Sequence, residues 1–290
     1  GRNVNNSSAD QEYTLIKFKD IVLTIRYVQL PTNFTKKCNM EDINGNTTLI
    51  FVMSTPSKGD IRNTIRETWA NPSYSQSLQE NRTKVFFLIG NGQNISDEVR
   101  HEIRTYDDMI VIDFDDNYRN LVYKTAVTFH ISTELCFSSF VMKIDEDVVF
   151  HIDRLADNIL AKNFSDDFAI HCKVWYDAPP IRDYQSPWFI SDYAYNRTKF
   201  PTFCSGPSYV MSRKAAQAIV EAAPNFRLVN VEDAFFTGII ADYVGVKRID
   251  HSNEYLHRPV QNSNLSQIVS IHNIKSPQQM RDIWKALRTG

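Results

Sequence analysis

Three consecutive acidic side chains, Asp145-Glu146-Asp147, directly follow the apolar run Phe140-Val141-Met142-Lys143-Ile144. Such a run reads as a buried strand, so the carboxylates emerge where the strand ends. In an open α/β sheet the crevice beyond the carboxyl ends of the strands is where ligands bind. Hard carboxylate oxygens gathered there suit a divalent cation carrying a diphosphate. An isolated acidic triplet is more commonly a turn that keeps a strand end in water. Arg62 and Arg66 stand one helical turn apart, close to the expected start of a helix. Two guanidinium groups beside a helix N-terminus suit oxyanions, and a solvated basic face is the equal alternative. The segment from Trp175 to Tyr195 gathers Trp175, Tyr176, Tyr184, Trp188, Phe189, Tyr193 and Tyr195 among prolines. If exposed, it would stack on the apolar faces of a sugar, although aromatic side chains more often fill cores. Neither GxGxxG nor GxxxxGK[ST] occurs, which argues against a dinucleotide dehydrogenase and a P-loop nucleotide hydrolase.

The elements that must position these groups alternate along the first half of the chain. Leu49-Ile50-Phe51-Val52-Met53 is a buried strand, followed by the breaker group Ser54 to Gly59 and by a helix that Asp60 can cap. Ile61, Ile65 and Trp69 fall on one face of that helix. Val85 to Gly90 and Ile110 to Ile112 form two further strands, separated by a helix that Ser96 caps and that runs to about Tyr106. Helical periodicity from Asn120 to Leu135 then leads into the strand before the acidic triplet. This βαβαβαβ order predicts an α/β fold with a Rossmann-like, mostly parallel central sheet flanked by helices. The second half is less regular, with short strands around Phe168 to His171 and Tyr209 to Met211 and helices from Arg213 and from about Asp233. A last helix after Ser276-Pro277 carries Met280, Ile283, Trp284 and Leu287 on one stripe, a core-packing pattern. Residues 1–48 are polar and Asn-rich and read as a stem or peripheral extension.

Composition narrows the class. With 42% hydrophobic residues over 290 positions, the chain can bury a substantial core in one large domain or two small ones. A formal charge of −2, from 32 basic and 34 acidic residues, creates no overall field for nucleic acid or an anionic membrane. No stretch approaches the roughly 20 apolar residues that span a bilayer. The start at Gly1 without methionine fits a processed or truncated product. Asn-x-Ser/Thr sequons begin at Asn5, Asn6, Asn33, Asn46, Asn81, Asn94, Asn163, Asn196 and Asn264. Chance would place only about three in a chain with this Asn, Ser and Thr content, so the excess points to the secretory pathway. Cys38, Cys136, Cys172 and Cys204 are compatible with two disulfides in any of three connectivities. No CxxC pair is present, so structural zinc is not expected.

Several segments occur in the order found in β1,3-galactosyltransferase-like enzymes, which this chain resembles. They are Arg62-Asn63-Thr64-Ile65-Arg66-Glu67-Thr68-Trp69, Phe87 to Gly90, Asp116 to Leu121 with Lys124-Thr125, and Lys143 to Asp147. Phe203 to Ser212, Val231 to Gly238, and His272 ahead of Trp284 extend the resemblance over roughly residues 49–288. That inverting family includes β1,3-N-acetylglucosaminyltransferases and is related to Fringe. The resemblance implies a GT-A type fold with a luminal stem over 1–48 and one catalytic domain over 49–290. Its nucleotide-sugar half would be 49–147 and its acceptor half 148–290.

The resemblance also assigns roles. Asp147 and His272 would hold Mn²⁺, with Asp145 and Glu146 ordering the ribose and the water around the metal. A Lewis acid on the phosphate oxygens would stabilise the departing nucleoside diphosphate. Arg62, Arg66 and Lys124 would contact the uridine diphosphate of the UDP-sugar donor, with Asp116 and Asn120 lining its uracil and ribose pocket. Asp233 would be the catalytic base, although an acid there can also cap the following helix, as Glu232 would. Trp188, Tyr193, Gly206 and Glu232 would face the acceptor and the sugar. Pro187 precedes Trp188 where relatives commonly carry Lys, which leaves donor and acceptor identity open.

The expected activity is metal-dependent transfer of galactose, or another hexose, to a hydroxyl of a glycan on glycoprotein or glycolipid in β1,3 linkage. N-acetylglucosaminyl or N-acetylgalactosaminyl transfer on the same fold, a two-carboxylate glycosidase, and a silent carbohydrate-binding protein are the alternatives. The expected setting is the Golgi lumen, as a type II membrane protein whose anchor lies outside this sequence, with glycans at Asn33, Asn46, Asn81, Asn94, Asn163, Asn196 and Asn264.

Overall fold

Apolar runs without polar alternation become strands buried on both faces, and four of them form the middle of the sheet. In the computed structural model, which describes residues 13–40, 47–90, 95–159, 168–259 and 265–289, these are β3 (Thr48–Met53), β4 (Thr83–Gly90), β5 (Met109–Ile112) and β6 (Phe140–Asp145). They lie parallel in the order β5-β4-β3-β6. Helices Gly59–Glu67, Asp97–Tyr106 and Leu121–His130 make the crossovers. Alternate residues of β3 enter opposite cores. Leu49, Phe51 and Met53 pack with Val122, Ala126 and Phe129, while Ile50 and Val52 pack with Ile61, Ile65 and Trp69. Met280, Trp284 and Leu287 of the last helix, Pro277–Thr289, close the second core, as their spacing predicts. Ser96 caps its helix as expected, but Lys58 rather than Asp60 precedes the helix at Gly59.

The sheet has nine strands, with β1 (Tyr13–Lys17) and β2 (Val22–Gln29) beyond β5, and β9 (Phe203–Ser212), β8 (Ala169–Trp175) and β10 (Lys247–Asp250) beyond β6. Only β2 and β9 run against the other seven, so the mostly parallel expectation is met. The N-terminal boundary needs correction. Residues 13–17 and 22–29 are sheet strands, not a stem: Ile16, Ile25 and Tyr27 are buried in the main core, and Tyr27 pairs with Ile112. Their alternation of buried and exposed positions is the signature of an edge hairpin with one wet face.

A second, three-stranded sheet is small but decisive for the site. β12 (Ser270–Ile271) runs between β11 (Tyr255–Leu256) and β7 (Val149–Phe150), with Ile271 opposite Val149. The register carries the residue after β12 to the residues before β7. Disulfides join Cys38 to Cys136 and Cys172 to Cys204, which selects one of the three connectivities. No helix among the described residues is long and apolar enough to cross a membrane. Asn33, Asn81 and Asn196 are exposed, whereas Asn5, Asn6, Asn46, Asn94, Asn163 and Asn264 lie outside the described residues.

The Cys38–Cys136 bond closes a loop of sequence separation 98 and ties the end of the N-terminal hairpin segment to the turn before β6. Replacing both cysteines by serine is expected to lower unfolding free energy by about 2–5 kcal/mol in urea denaturation.

Candidate active site

The carboxyl ends of β3 and β6, the loop after β5, the first residues of β9 and the segment 231–233 enclose one cavity of about 1000 Å³. It is the place where the parallel order leaves a crevice. Parallel pairing sets Met53 beside Asp145, so the residue after β3 meets the residue after β6. Ser54 Oγ donates to Glu146 Oε2 at 2.5 Å, and the Thr55 backbone N–H donates to the same oxygen at 3.4 Å. The Ser54 carbonyl accepts from Lys124 Nζ at 2.5 Å, and Lys124 also bonds both Asp116 oxygens at 3.0 and 3.1 Å. Asp116 Oδ2 in turn accepts from the Gly90 N–H at 2.7 Å. Burial pushes the Lys124 ammonium down from its ordinary range, against the opposing Asp116 charge, and the pair forms part of the cavity wall.

At the far end of the triplet, Asp147 Oδ2 lies 3.3 Å from His272 Nε2. The small sheet makes this contact: His272 directly follows β12, and the Ile274 N–H donates to the Asp147 carbonyl at 3.0 Å. His272 Nδ1 is buried without a hydrogen-bond partner, and the His257 ring centroid is 5.1 Å from that of His272. Among the described residues, no three His, Cys, Asp or Glu side chains are gathered closely enough to hold an ion by themselves. The Asp147 carboxylate and the His272 Nε2 that faces it nonetheless fit a divalent ion whose remaining positions come from diphosphate and water.

Across the cavity stand Glu232 and Asp233. Asp233 Oδ1 accepts from the Ala234 N–H at 2.7 Å and caps the helical stretch Ala234–Ile240, so it carries the capping role as well as facing the cavity. Burial, reinforced by the Glu232 charge, pushes its carboxyl up to about 7. Gly206 permits this approach: a Cβ there would meet Asp233 Oδ2 at 3.0 Å. Glu232 is buried, with its oxygens bound to Tyr209 OH at 2.8 Å and Lys143 Nζ at 3.0 Å. Trp188, 48% exposed, lines the outer wall, and its Nε1 donates to Tyr118 OH at 2.6 Å.

Four sequence candidates lie elsewhere. Arg62 is fully buried, and all five of its N–H donors are used: toward both Glu102 oxygens at 2.8 and 2.6 Å, Ser54 Oγ at 2.9 Å, and the carbonyls of Thr55 and Pro56. It clamps the loop after β3 from behind. Arg66 forks onto Asp108 with two bonds of 2.8 Å, also bonds Glu102, and stacks between Phe87 and Tyr106. Asn120 bonds the Asp115 carbonyl and does not line the cavity, where Asn117 and Tyr118 stand instead. Tyr193 is 69% exposed and pairs with Arg227 outside the cavity. The sequence reading also passed over Lys143, Ser54, Tyr118, Lys58, Lys275 and His257, all of which line the cavity. Only Lys143 carried a signal, being a charge inside an apolar strand run.

A sequence model of the family described as galactosyltransferase matches residues 60–252. Beta-1,3-galactosyltransferase bre-2 of Caenorhabditis elegans is 32% identical, over 99% of this chain and 80% of that protein. Lactosylceramide 1,3-N-acetyl-beta-D-glucosaminyltransferase of Homo sapiens is 30% identical, over 76% of this chain and 59% of that protein. Beta-1,3-galactosyltransferase 1 of Mus musculus is 27% identical, over 81% and 72%. The crystal structure of galactosyltransferase LgtC with donor and acceptor sugar analogues aligns with 82% of this chain and 96% of that one, at a TM-score of 0.40 and 8% identity, a likeness too remote to bear on function.

Glu102→Ala would leave Arg62 as a buried charge without its counterion. The expected cost is about 3–5 kcal/mol in urea unfolding, since breaking a buried pair strands its partner. A loss below about 1 kcal/mol, the range of a surface ion pair, would show that Arg62 is not held as described.

Proposed function

This chain belongs to the galactosyltransferase family, and we propose that it transfers galactose from a uridine diphosphate donor to a glycan hydroxyl in β1,3 linkage with inversion. As a hexosyltransferase it needs a donor site and a proton acceptor on opposite sides of one reacting carbon. The observation that supports this reading is the division of a single cavity. The strand-end triplet with His272 occupies one side, and a half-buried carboxylate poised near neutrality, Asp233, occupies the other.

In this mechanism the acceptor hydroxyl lies between Trp188 and Asp233. Asp233 takes the hydroxyl proton as the oxygen attacks the anomeric carbon, and the bond from that carbon to the diphosphate oxygen breaks on the opposite face. Asp147 and His272 would hold a divalent ion such as Mn²⁺, which when bound supplies charge stabilisation to the leaving diphosphate. Ser54 and the Lys124–Asp116 pair keep Glu146 and the nucleotide wall in place, so the donor meets a preformed surface. Exposed Trp188 offers an apolar face to the sugar ring. The likeness to the human N-acetylglucosaminyltransferase supports N-acetylglucosamine as a second donor reading on the same machinery. Two disulfides and exposed sequons at Asn33, Asn81 and Asn196 support a place in the Golgi lumen, with attachment as a type II membrane protein.

A panel of uridine diphosphate sugars against a glycan array, read as nucleotide release, tests donor and linkage together, and release from neither galactose nor N-acetylglucosamine donors would overturn the reading. Asp147→Ala is expected to abolish cation-dependent donor binding in calorimetry, and unchanged affinity would remove Asp147 from the cation site. Asp233→Asn should bind donor normally and lose at least about a hundredfold in kcat, in line with loss of a general base. Because Asp233 acts ionised and its carboxyl is pushed up to about 7, kcat/KM should fall as pH drops through that value and level off above it. A profile flat from pH 5 to 8 would exclude it as the base.

A further inference from the structure

Lys143 is a fully buried lysine in the central strand that carries the acidic triplet, an expensive place for a charge unless every donor is matched. Its three N–H donors meet three acceptors: Asp145 Oδ1 at 2.6 Å, the Gly206 carbonyl at 2.7 Å and Glu232 Oε1 at 3.0 Å. These acceptors belong to three different parts of the cavity wall: the end of β6, the stretch of β9 that faces Asp233, and the segment that precedes Asp233. Tyr209, the cross-strand partner of Lys143, completes the arrangement by donating to the second Glu232 oxygen at 2.8 Å. The two carboxylates outweigh burial and push the Lys143 ammonium up, so it stays charged.

We propose that Lys143 and Glu232 are a positioning pair that joins the two sides of the site into one electrostatic unit, fixing the acidic triplet and Asp233 relative to each other. Glu232 is thereby a structural counter-charge beside Asp233 and not a contact of the acceptor. The inference rests on Asp233 being the base. The charged and titratable groups that face Asp233 are Glu232 beside it, Lys143 from β6, Tyr209 from β9 and Tyr118 from the loop after β5. Lys143 supplies the positive charge in that set, and Glu232 the neighbouring negative one. Removing either one therefore moves the proton affinity of Asp233 in opposite directions, which a merely structural role would not do.

The test is the pH dependence of kcat/KM in the enzyme with its donor and acceptor, compared for wild type, Lys143→Met, Lys143→Arg and Glu232→Gln. Lys143→Met should raise the acid-limb midpoint by about one pH unit, and Glu232→Gln should lower it by a similar amount. Lys143→Arg, which keeps the charge, should bring the midpoint back toward wild type. Circular dichroism checks the fold of each variant. Where Lys143→Met does not fold, the downward shift in Glu232→Gln decides alone. Midpoints that stay at the wild-type value in folded Lys143→Met or in Glu232→Gln, with Asp233→Asn inactive, would overturn the pairing and leave the base intact. Normal turnover by Asp233→Asn would instead overturn the base reading, and the pairing with it.

Discussion

Strand β6 pairs in parallel with β3 so that Met53 faces Asp145, and the rest of the site is built outward from that register. The pairing sets the first residues beyond the two strands against each other, which is why Ser54 reaches Glu146 and why the Glu146 N–H bonds the Met53 carbonyl at 3.2 Å. A slip of one residue would turn Ile50 and Val52 into the opposite core and carry the acidic side chains away from the cavity. Two well-filled cores, one on each face, make such a slip expensive. The sheet is therefore rigid where it has to be: at the edge where three carboxylates would otherwise repel one another.

Burying charge at that edge is tolerated because each cation meets as many acceptors as it has donors. Arg62 uses five donors, Lys143 uses three, and Lys124 is divided among a carbonyl and both oxygens of Asp116. Such networks seldom add much net stability, since desolvation consumes most of the Coulombic gain. Their use is geometric. Arg62 works from behind the cavity, holding Ser54 and the carbonyls of Thr55 and Pro56, so the loop after β3 is held in place by the protein itself. Lys143 works from β6, and Lys124 from the Asp116 side of the cavity.

How far the sequence could be read follows from the range of each interaction. The βαβ alternation, the helix cap at Ser96 and the apolar stripe of the last helix depend on neighbours a few residues away, and they hold in the structure. Arg62 and Arg66 were misjudged for the opposite reason. Their spacing on a helix is correct, but Glu102 and Asp108, some forty positions downstream, claim them, and nothing local reveals that. The N-terminal strands were misjudged because exposed Tyr13, Leu15, Val22 and Val28 and buried Thr14 blur their hydropathy pattern, and an Asn-rich flank masks them. Tyr193 shows the same limit among the aromatics, since it is aromatic like Trp188 while its place in the loop sets it against Arg227.

The chain by itself determined the fold class, the even set of cysteines that two disulfides use, the strand-end position of the acidic triplet and the family to which the ordered motifs point. Those properties are carried by local periodicity, composition and motif order. Tertiary structure alone decided which charges are left for a ligand. It brought His272 to Asp147 through a pair of two-residue strands, set Asp233 across the same cavity, and withdrew Arg62 and Arg66 into ion pairs. Availability of a charged side chain is a property of its partners, and those partners are distant in sequence and adjacent only once the sheet has closed.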